Sequence, residues 1–455
     1  VTNPMRTRGS PLRGTRRWTT LGLPVVVAVT ALVLALCQCR PGLPSAGEMS
    51  DTRWPGWGFT HTQFSADDGD PAAVAAVGEA VEAEPMVQAQ AIMGWGVDNP
   101  EPSPGRYDFR SLDRRMEFIR RSGGLPVIVL CCAPDWMKGG ADGETDWDRL
   151  EDAPLPEHFA DFAALSATVA ERYPYVRHFV VWNEFKGFFD DELGRWDARS
   201  YTDLYNLVYD AVKSVDPAKQ VGGPYIEFAS RPPGSPGTSE YLQGPWGAVD
   251  QRSIDAFVYW NLSRKGADFV AVDGHASIAQ GAPDEFTAVG KFAAVTTWLR
   301  TMVTVPVWWT EWYVEPSEPS WSPEHRIALR VAAMIELASS GAETVLYWNP
   351  RQYGPECVEC LWTNTWDPGG GRTLPFLDEL QRFAASFPPD AQRRKMELDE
   401  GLLGLESDRA RVIVNTTDEW VDAVVDGRRL EWGPYETRWF PLDGSWSGAS
   451  KSWSQ

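Results

Sequence analysis

At 455 residues, with a formal net charge of −21 and a pI near 4.7, the chain has room for one large domain and a small one. It lacks the basic surplus that nucleic acid or an anionic membrane surface would demand of a partner. Six cysteines are too few for a disulfide framework at this length, whereas 23 tryptophans are far more than most soluble domains carry, and their flat faces match the C–H face of a sugar ring.

The first 42 residues read as an export segment. Arg6, Arg8, Arg13, Arg16 and Arg17 precede any acidic residue, and an uncharged, mainly apolar run follows from Leu21 to Cys37. A cleaved signal and a retained membrane anchor both fit, because 17 residues lie at the short limit for a membrane-spanning helix. Either way the expected location is extracellular or at the cell surface. Residues 43–55 read as a linker.

Residues 56–390 alternate short apolar runs with helical patterns, the signature of βα units. Strands are predicted near Trp57 to Thr62, Ala89 to Val97, Leu125 to Ala133, His178 to Glu184, Gln220 to Glu227, Ala267 to His275, Pro306 to Tyr313 and Glu343 to Asn349. Eight such alternations predict a (β/α)8 TIM barrel. Among the helices, Ser200 is the expected cap of Tyr201 to Val215. Asp284 to Val303 reads as one helix, and Ser322 with Pro323 opens another that Gly341 closes. Arg231 to Gly247 reads as a Pro/Gly-rich loop over the top face.

Residues 391–442 change to short alternating strands, among them Ala410 to Asn415 and Val421 to Val425, with a hairpin signal at Asp426-Gly427. They predict a small antiparallel β domain, sandwich-like, and 443–455 reads as a disordered tail. Adjacent Cys131 and Cys132 are expected to pack as small apolar groups. Cys357 and Cys360 suit a local disulfide better than zinc, which needs four ligands.

Two runs carry the chemistry. His178 to Glu184, HFVVWNE, ends an apolar strand in an amide and a carboxylate, and Pro306 to Tyr313, PVWWTEWY, places Glu311 among aromatic residues. Ligands bind at the C-terminal ends of barrel strands, where an ionised side chain inside an aromatic run is costly unless it is used. Two carboxyl groups converging there supply the acid and the second carboxylate that cleavage of a glycosidic bond requires. Glu227 and Asp273, also at strand ends, are their rivals.

Trp182-Asn183-Glu184 and Thr310-Glu311-Trp312 resemble the acid/base and nucleophile motifs of the retaining clan A glycoside hydrolases, and Gly105 to Met137 is similar to the corresponding stretch of family 39, which includes β-xylosidases. The resemblance implies a barrel followed by a β domain, with Glu184 as general acid/base, Asn183 as partner of the sugar 2-hydroxyl and Glu311 as nucleophile. It further implies an exo-acting enzyme on β-xylosides or related cell-wall saccharides, with no metal and no cofactor. An arginine that clan members commonly carry on the second strand is missing; only Gln88 and Gln90 stand nearby. An endo-acting glucanase or mannanase of the same clan is the alternative, as is a non-catalytic surface carbohydrate-binding protein. The remaining candidate substrate contacts are His275, His61, Trp136 and Trp348, with Trp95 beside them. Each also has a structural reading, a histidine satisfied within the fold or a tryptophan packed inward.

Overall fold

The computed structural model describes residues 56–62, 65–90, 99–143, 145–277, 283–315, 321–350, 357–425 and 427–442. The predicted leader, linker and tail, and Trp95, lie outside them. Eight parallel strands close into a barrel: β1 (Trp57–His61), β2 (Val87–Ala89), β3 (Leu125–Leu130), β4 (His178–Val181), β5 (Gln220–Glu227), β6 (Phe269–Ser277), β7 (Val307–Glu315) and β8 (Thr344–Asn349). Each strand pairs with its sequence neighbours and β8 returns to β1, as right-handed βα crossovers require. Among the described residues no helix is long and apolar enough to cross a membrane.

The strands are buried on both faces, which explains their near-continuous apolar runs. On β7 the aromatic residues divide between those faces. Trp308 stacks on Phe269 of β6 at 3.8 Å and on His178 of β4 at 5.3 Å, filling the barrel interior. Trp309 faces the helix Gly290–Met302, donating its indole N–H to Thr296 Oγ1 at 2.8 Å and packing on Phe292.

Capping residues decide where helices start. Ser322 accepts a bond from the His325 N–H at 3.2 Å, Pro323 opens the helix Pro323–Ser340, and Gly341 ends it at φ +89°, as expected. The helix Ala198–Val215 begins earlier than predicted. Asp197 is its cap and accepts from the Ser200 N–H at 3.0 Å, since a carboxylate three residues ahead competes with the serine for the same end. The predicted helix over Asp284 to Val303 is split at Val289 into Glu285–Ala288 and Gly290–Met302.

The stretch expected to be a loop over 231–247 is instead a three-stranded antiparallel sheet of Ser230–Arg231, Thr238–Gly244 and Gly247–Asp250, inserted after β5. Adjacent Cys131 and Cys132 are bonded to each other rather than packed as separate apolar groups, and Cys357 is paired with Cys360. C-terminal to the barrel, a four-stranded antiparallel sheet and the hairpin Val421–Val425/Arg428–Trp432 form a separate β region. Trp439 joins it to the barrel's last helix, packing on Phe383 and Phe387 and donating to Glu379 at 2.7 Å.

Candidate active site

Glu184 owes its position to an abrupt turn. After β4 the backbone takes positive φ at Trp182 (+69°), Glu184 (+47°) and Phe185 (+57°), a conformation that costs about 1–3 kcal/mol per non-glycine residue and persists only where packing over-determines it. The packing is there. Phe185 stacks on Tyr201 at 4.0 Å, the Tyr201 hydroxyl donates to the Val181 carbonyl at 2.9 Å, and the Trp182 indole donates to the Lys186 carbonyl at 2.8 Å. The turn lifts Glu184 over the barrel mouth and leaves Asn183 buried, with neither side-chain polar atom bonded to another described residue.

Glu311 and Asp273 reach the same place by another device. The β6–β7 register runs Val272 opposite Trp309, then shifts by one residue so that Asp273 lies opposite Glu311. Such a bulge re-aims a side chain without ending the strand. One carboxylate oxygen from each of Glu184, Asp273 and Glu311 lies within 4.8 Å of the other two. Glu311 is 3% exposed and Asp273 1%. The Tyr225 hydroxyl donates to Glu311 Oε2 at 3.1 Å from a residue itself held at φ +54°.

The electrostatics follow from the crowding. Burial pushes Asp273 well above the usual carboxylate range, and the charges of Glu311 and Glu184 push it further. Burial and then the Glu184 charge push Glu311 up, while the Tyr225 hydroxyl and the Lys186 ammonium act against them. Lys186 bridges Glu184 (3.0 Å) and Glu151 (2.8 Å). Its own burial disfavours the ammonium, yet these two carboxylates hold it above its ordinary value. Lys291, fully buried, donates to the His275 carbonyl at 2.6 Å and is brought down to about 8 by burial, against the pull of Glu227 and Asp273.

A wall of rings stands beside the carboxylates. His275 stacks on Tyr313 at 5.3 Å, and Tyr313 meets Trp348 at 4.9 Å. Glu227 lies 3.4 Å from His275 Nδ1. Burial is the largest single influence and would raise Glu227, but His275, Lys291 and Lys186 together outweigh it and the carboxyl is lowered. Trp136 is half-buried in the turn after β3, its indole donating to the Glu101 carbonyl at 3.0 Å. His61 is a correction to the expected set. It has no exposed surface, both ring nitrogens are bonded to Ser65 and Gln88 at 2.8 and 2.9 Å, and burial lowers it to about 3. It braces the barrel wall and offers nothing to a ligand.

Glu184 and Glu311 are thus brought together with Asp273; Asn183 precedes Glu184 in the same turn, and His275 and Trp348 are linked to each other through Tyr313. Tyr225, Lys186 and Lys291 were not anticipated. For Lys186 the available signal is its place two residues beyond Glu184; Tyr225 depends on a backbone conformation that the sequence does not announce. The three carboxylates are also the one group of acid or histidine side chains among the described residues spaced to share a cation. An all-oxygen set of this kind would suit a hard divalent ion rather than zinc.

No known family model matches the sequence, and no curated protein matches it. Similarity appears at the level of solved structures. A family 39 glycoside hydrolase from the gut symbiont Bacteroides cellulosilyticus WH2 aligns with a TM-score of 0.53 at 14% identity, over 84% of this chain and 79% of that one. A glucosidase from Croceicoccus marinus aligns at 0.51 and 14%, over 88% and 84%. An endo-β-1,4-mannanase from Thermotoga petrophila aligns at 0.51 and 11%, over 85% and 97%. At such identities the likeness is one of fold, and because three kinds of enzyme share it, it does not single out family 39. The chain has the barrel architecture common to these proteins.

Proposed function

We propose that the chain is a glycoside hydrolase that cleaves O-glycosidic bonds with retention, Glu311 acting as nucleophile and Glu184 as general acid/base. One observation carries the reading: carboxylates 127 positions apart, at the ends of β4 and β7, converge to within 4.8 Å at the barrel mouth. Double displacement wants carboxyl groups about 5–5.5 Å apart, whereas inversion leaves room for a water at about 6.5–9.5 Å.

In the first half-reaction Glu311 attacks the anomeric carbon while Glu184 gives its proton to the leaving oxygen. In the second, Glu184 takes a proton from water as that water attacks the glycosyl–Glu311 ester. The Tyr225 hydroxyl bond favours the ionised form of Glu311 and fixes the oxygen it touches. Asn183, buried beside Glu184 with its amide unengaged by described residues, suits a sugar hydroxyl, and the rings of His275, Tyr313 and Trp348 suit its C–H face.

The preference for β-xylosides and for exo action rests on the likeness of Gly105 to Met137 to family 39. An endo-acting mannanase or glucanase is the second reading, favoured by the alignment over nearly the whole of the Thermotoga petrophila enzyme. The export of the chain is supported by the arginine-rich leader and by two disulfides, which persist in oxidising compartments.

A panel of nitrophenyl glycosides tests the proposal. Wild type should release nitrophenol from at least one β-glycoside with chelator present. Glu184→Ala and Glu311→Ala should each lose activity by about 100-fold or more. A wild type inert on every member while binding oligosaccharides would make this a carbohydrate-binding protein and overturn the reading.

A further inference from the structure

Asp273 is a third carboxyl in a centre that needs two. It stands across the β6–β7 bulge from Glu311 and opposite Glu227 of β5, is 1% exposed, and neither Oδ has a donor among the described residues. Among the described residues, the donors and charges near it each make a contact to another partner. From β5, Tyr225 donates to Glu311, and Glu227 is 3.4 Å from His275. From the helix after β6, Lys291 donates to the His275 carbonyl. From the turn after β4, Lys186 bridges Glu184 and Glu151. One oxygen from each of two more carboxylates, Glu184 and Glu311, lies within 4.8 Å of one of Asp273's own.

An ionised Asp273 in this position would be buried, without a donor and beside two like charges, a combination that proteins relieve by protonation. We propose that Asp273 carries a proton at neutral pH and donates it in a hydrogen bond to Glu184, acting as the positioning residue of the acid/base. The protonation state stands on the geometry alone; the catalytic consequence rests on the hydrolase reading above.

Asp273 forms no bond to carbon and keeps its proton throughout. Once Glu184 has protonated the leaving oxygen and become a carboxylate, the Asp273 O–H steadies it and aims it while it draws a proton from the attacking water. A neutral Asp273 also spares Glu311 a further like charge beyond those of Glu184 and Glu227, which with burial oppose the ionisation that nucleophilic attack needs. Burial leads the forces that raise Asp273, with the Glu311 and Glu184 charges next, in keeping with this role.

Two measurements test it. In protein carrying ¹³C-labelled aspartate carboxyls, the resonance missing from Asp273→Asn should remain that of a neutral acid through pH 7; a carboxylate shift at pH 6 overturns the proposal. This readout needs no activity, so an inert wild type with a protonated Asp273 would sink the hydrolase reading and leave the shared proton standing. In kinetics on an aryl glycoside, Asp273→Asn, which keeps a neutral donor, should hold kcat within about threefold of wild type. Asp273→Leu should lower kcat on the order of 10-fold or more at unchanged KM, the worth of one hydrogen bond to a charged group, and should move the alkaline limb of the kcat profile upward. Equal kcat in the two variants, or an alkaline limb that falls in Asp273→Asn as it would on loss of a negative charge, overturns the positioning role.

Discussion

Tyr225 shows how much of this site is set by single atoms. Its hydroxyl is fully buried and 3.1 Å from Glu311 Oε2, and burial, with Glu311 and Asp273 nearby, keeps the phenol neutral and therefore a donor at all working pH values. Tyr225→Phe removes that donor and little else. The expected result is a fall in kcat on the order of 10- to 100-fold with KM nearly unchanged, read from initial rates on the best aryl glycoside. An unchanged kcat would show that the bond does not act on Glu311 in the rate-limiting step. Glu184, Asn183 and Glu311 stand out in the sequence as candidates because a costly polar group closing an apolar strand has few bland explanations, and the fold brings Glu184 and Glu311 to one place. Tyr225 does not stand out, since GGPYIE reads as an ordinary strand end and only the fold turns its hydroxyl toward β7. His61 misled for the converse reason. It ends β1 as a site residue would, yet Ser65 and Gln88 use both of its nitrogens.

Elements were readable where local chemistry is unambiguous. Ser322-Pro323 and Gly341 bound their helix as expected, and Ser322→Ala should destabilise the protein by about 1 kcal/mol, measured by denaturant unfolding, with activity per folded molecule unchanged. A change below about 0.2 kcal/mol would mean that the cap bond is replaced by solvent. The helix Ala198–Val215 was misplaced at its start because Asp197 and Ser200 are both good caps, and propensity does not rank two candidates three residues apart. Strand Arg428–Trp432 was missed because two arginines and a glutamate mask its alternation, although a hairpin signal is readable just ahead of it at Asp426-Gly427, of which Asp426 lies outside the described residues. The β6–β7 bulge was beyond reach as well. Nothing in the sequence DGHAS or WWTEWY fixes which residues face each other, and that register brings Asp273 to Glu311.

At the scale of the whole molecule, eight βα alternations made the barrel legible, and its buried interior makes stability depend on pH. His178, stacked on Trp308 inside the barrel, is lowered to about 3, with burial the largest cause. Its neutral form is the folded one, so its contribution is complete above the unfolded value near 6.5 and is lost as pH falls from there toward 3. Asp273 and Glu311 act in the opposite sense over part of the same range, because their raised folded values let the native state take up protons first. A difference isolates the histidine. Between pH 6.5 and 4.5 wild type should lose stability relative to His178→Phe by about 1.2 kcal/mol per pH unit on average, measured by urea unfolding; parallel curves would mean that His178 takes up its proton in the fold as readily as in the unfolded chain.

The proposed division of labour between Glu184 and Glu311 is tested most directly by azide. Small anions fill the space left by either side chain and attack the anomeric carbon from the side that side chain occupied. With an activated aryl β-glycoside, Glu311→Ala plus azide should give the glycosyl azide of inverted configuration, and Glu184→Ala plus azide the product of retained configuration, both assigned by proton NMR. Interchanged configurations would reverse the two roles, and an azide that rescues neither variant, with wild type active, would contradict double displacement at this pair.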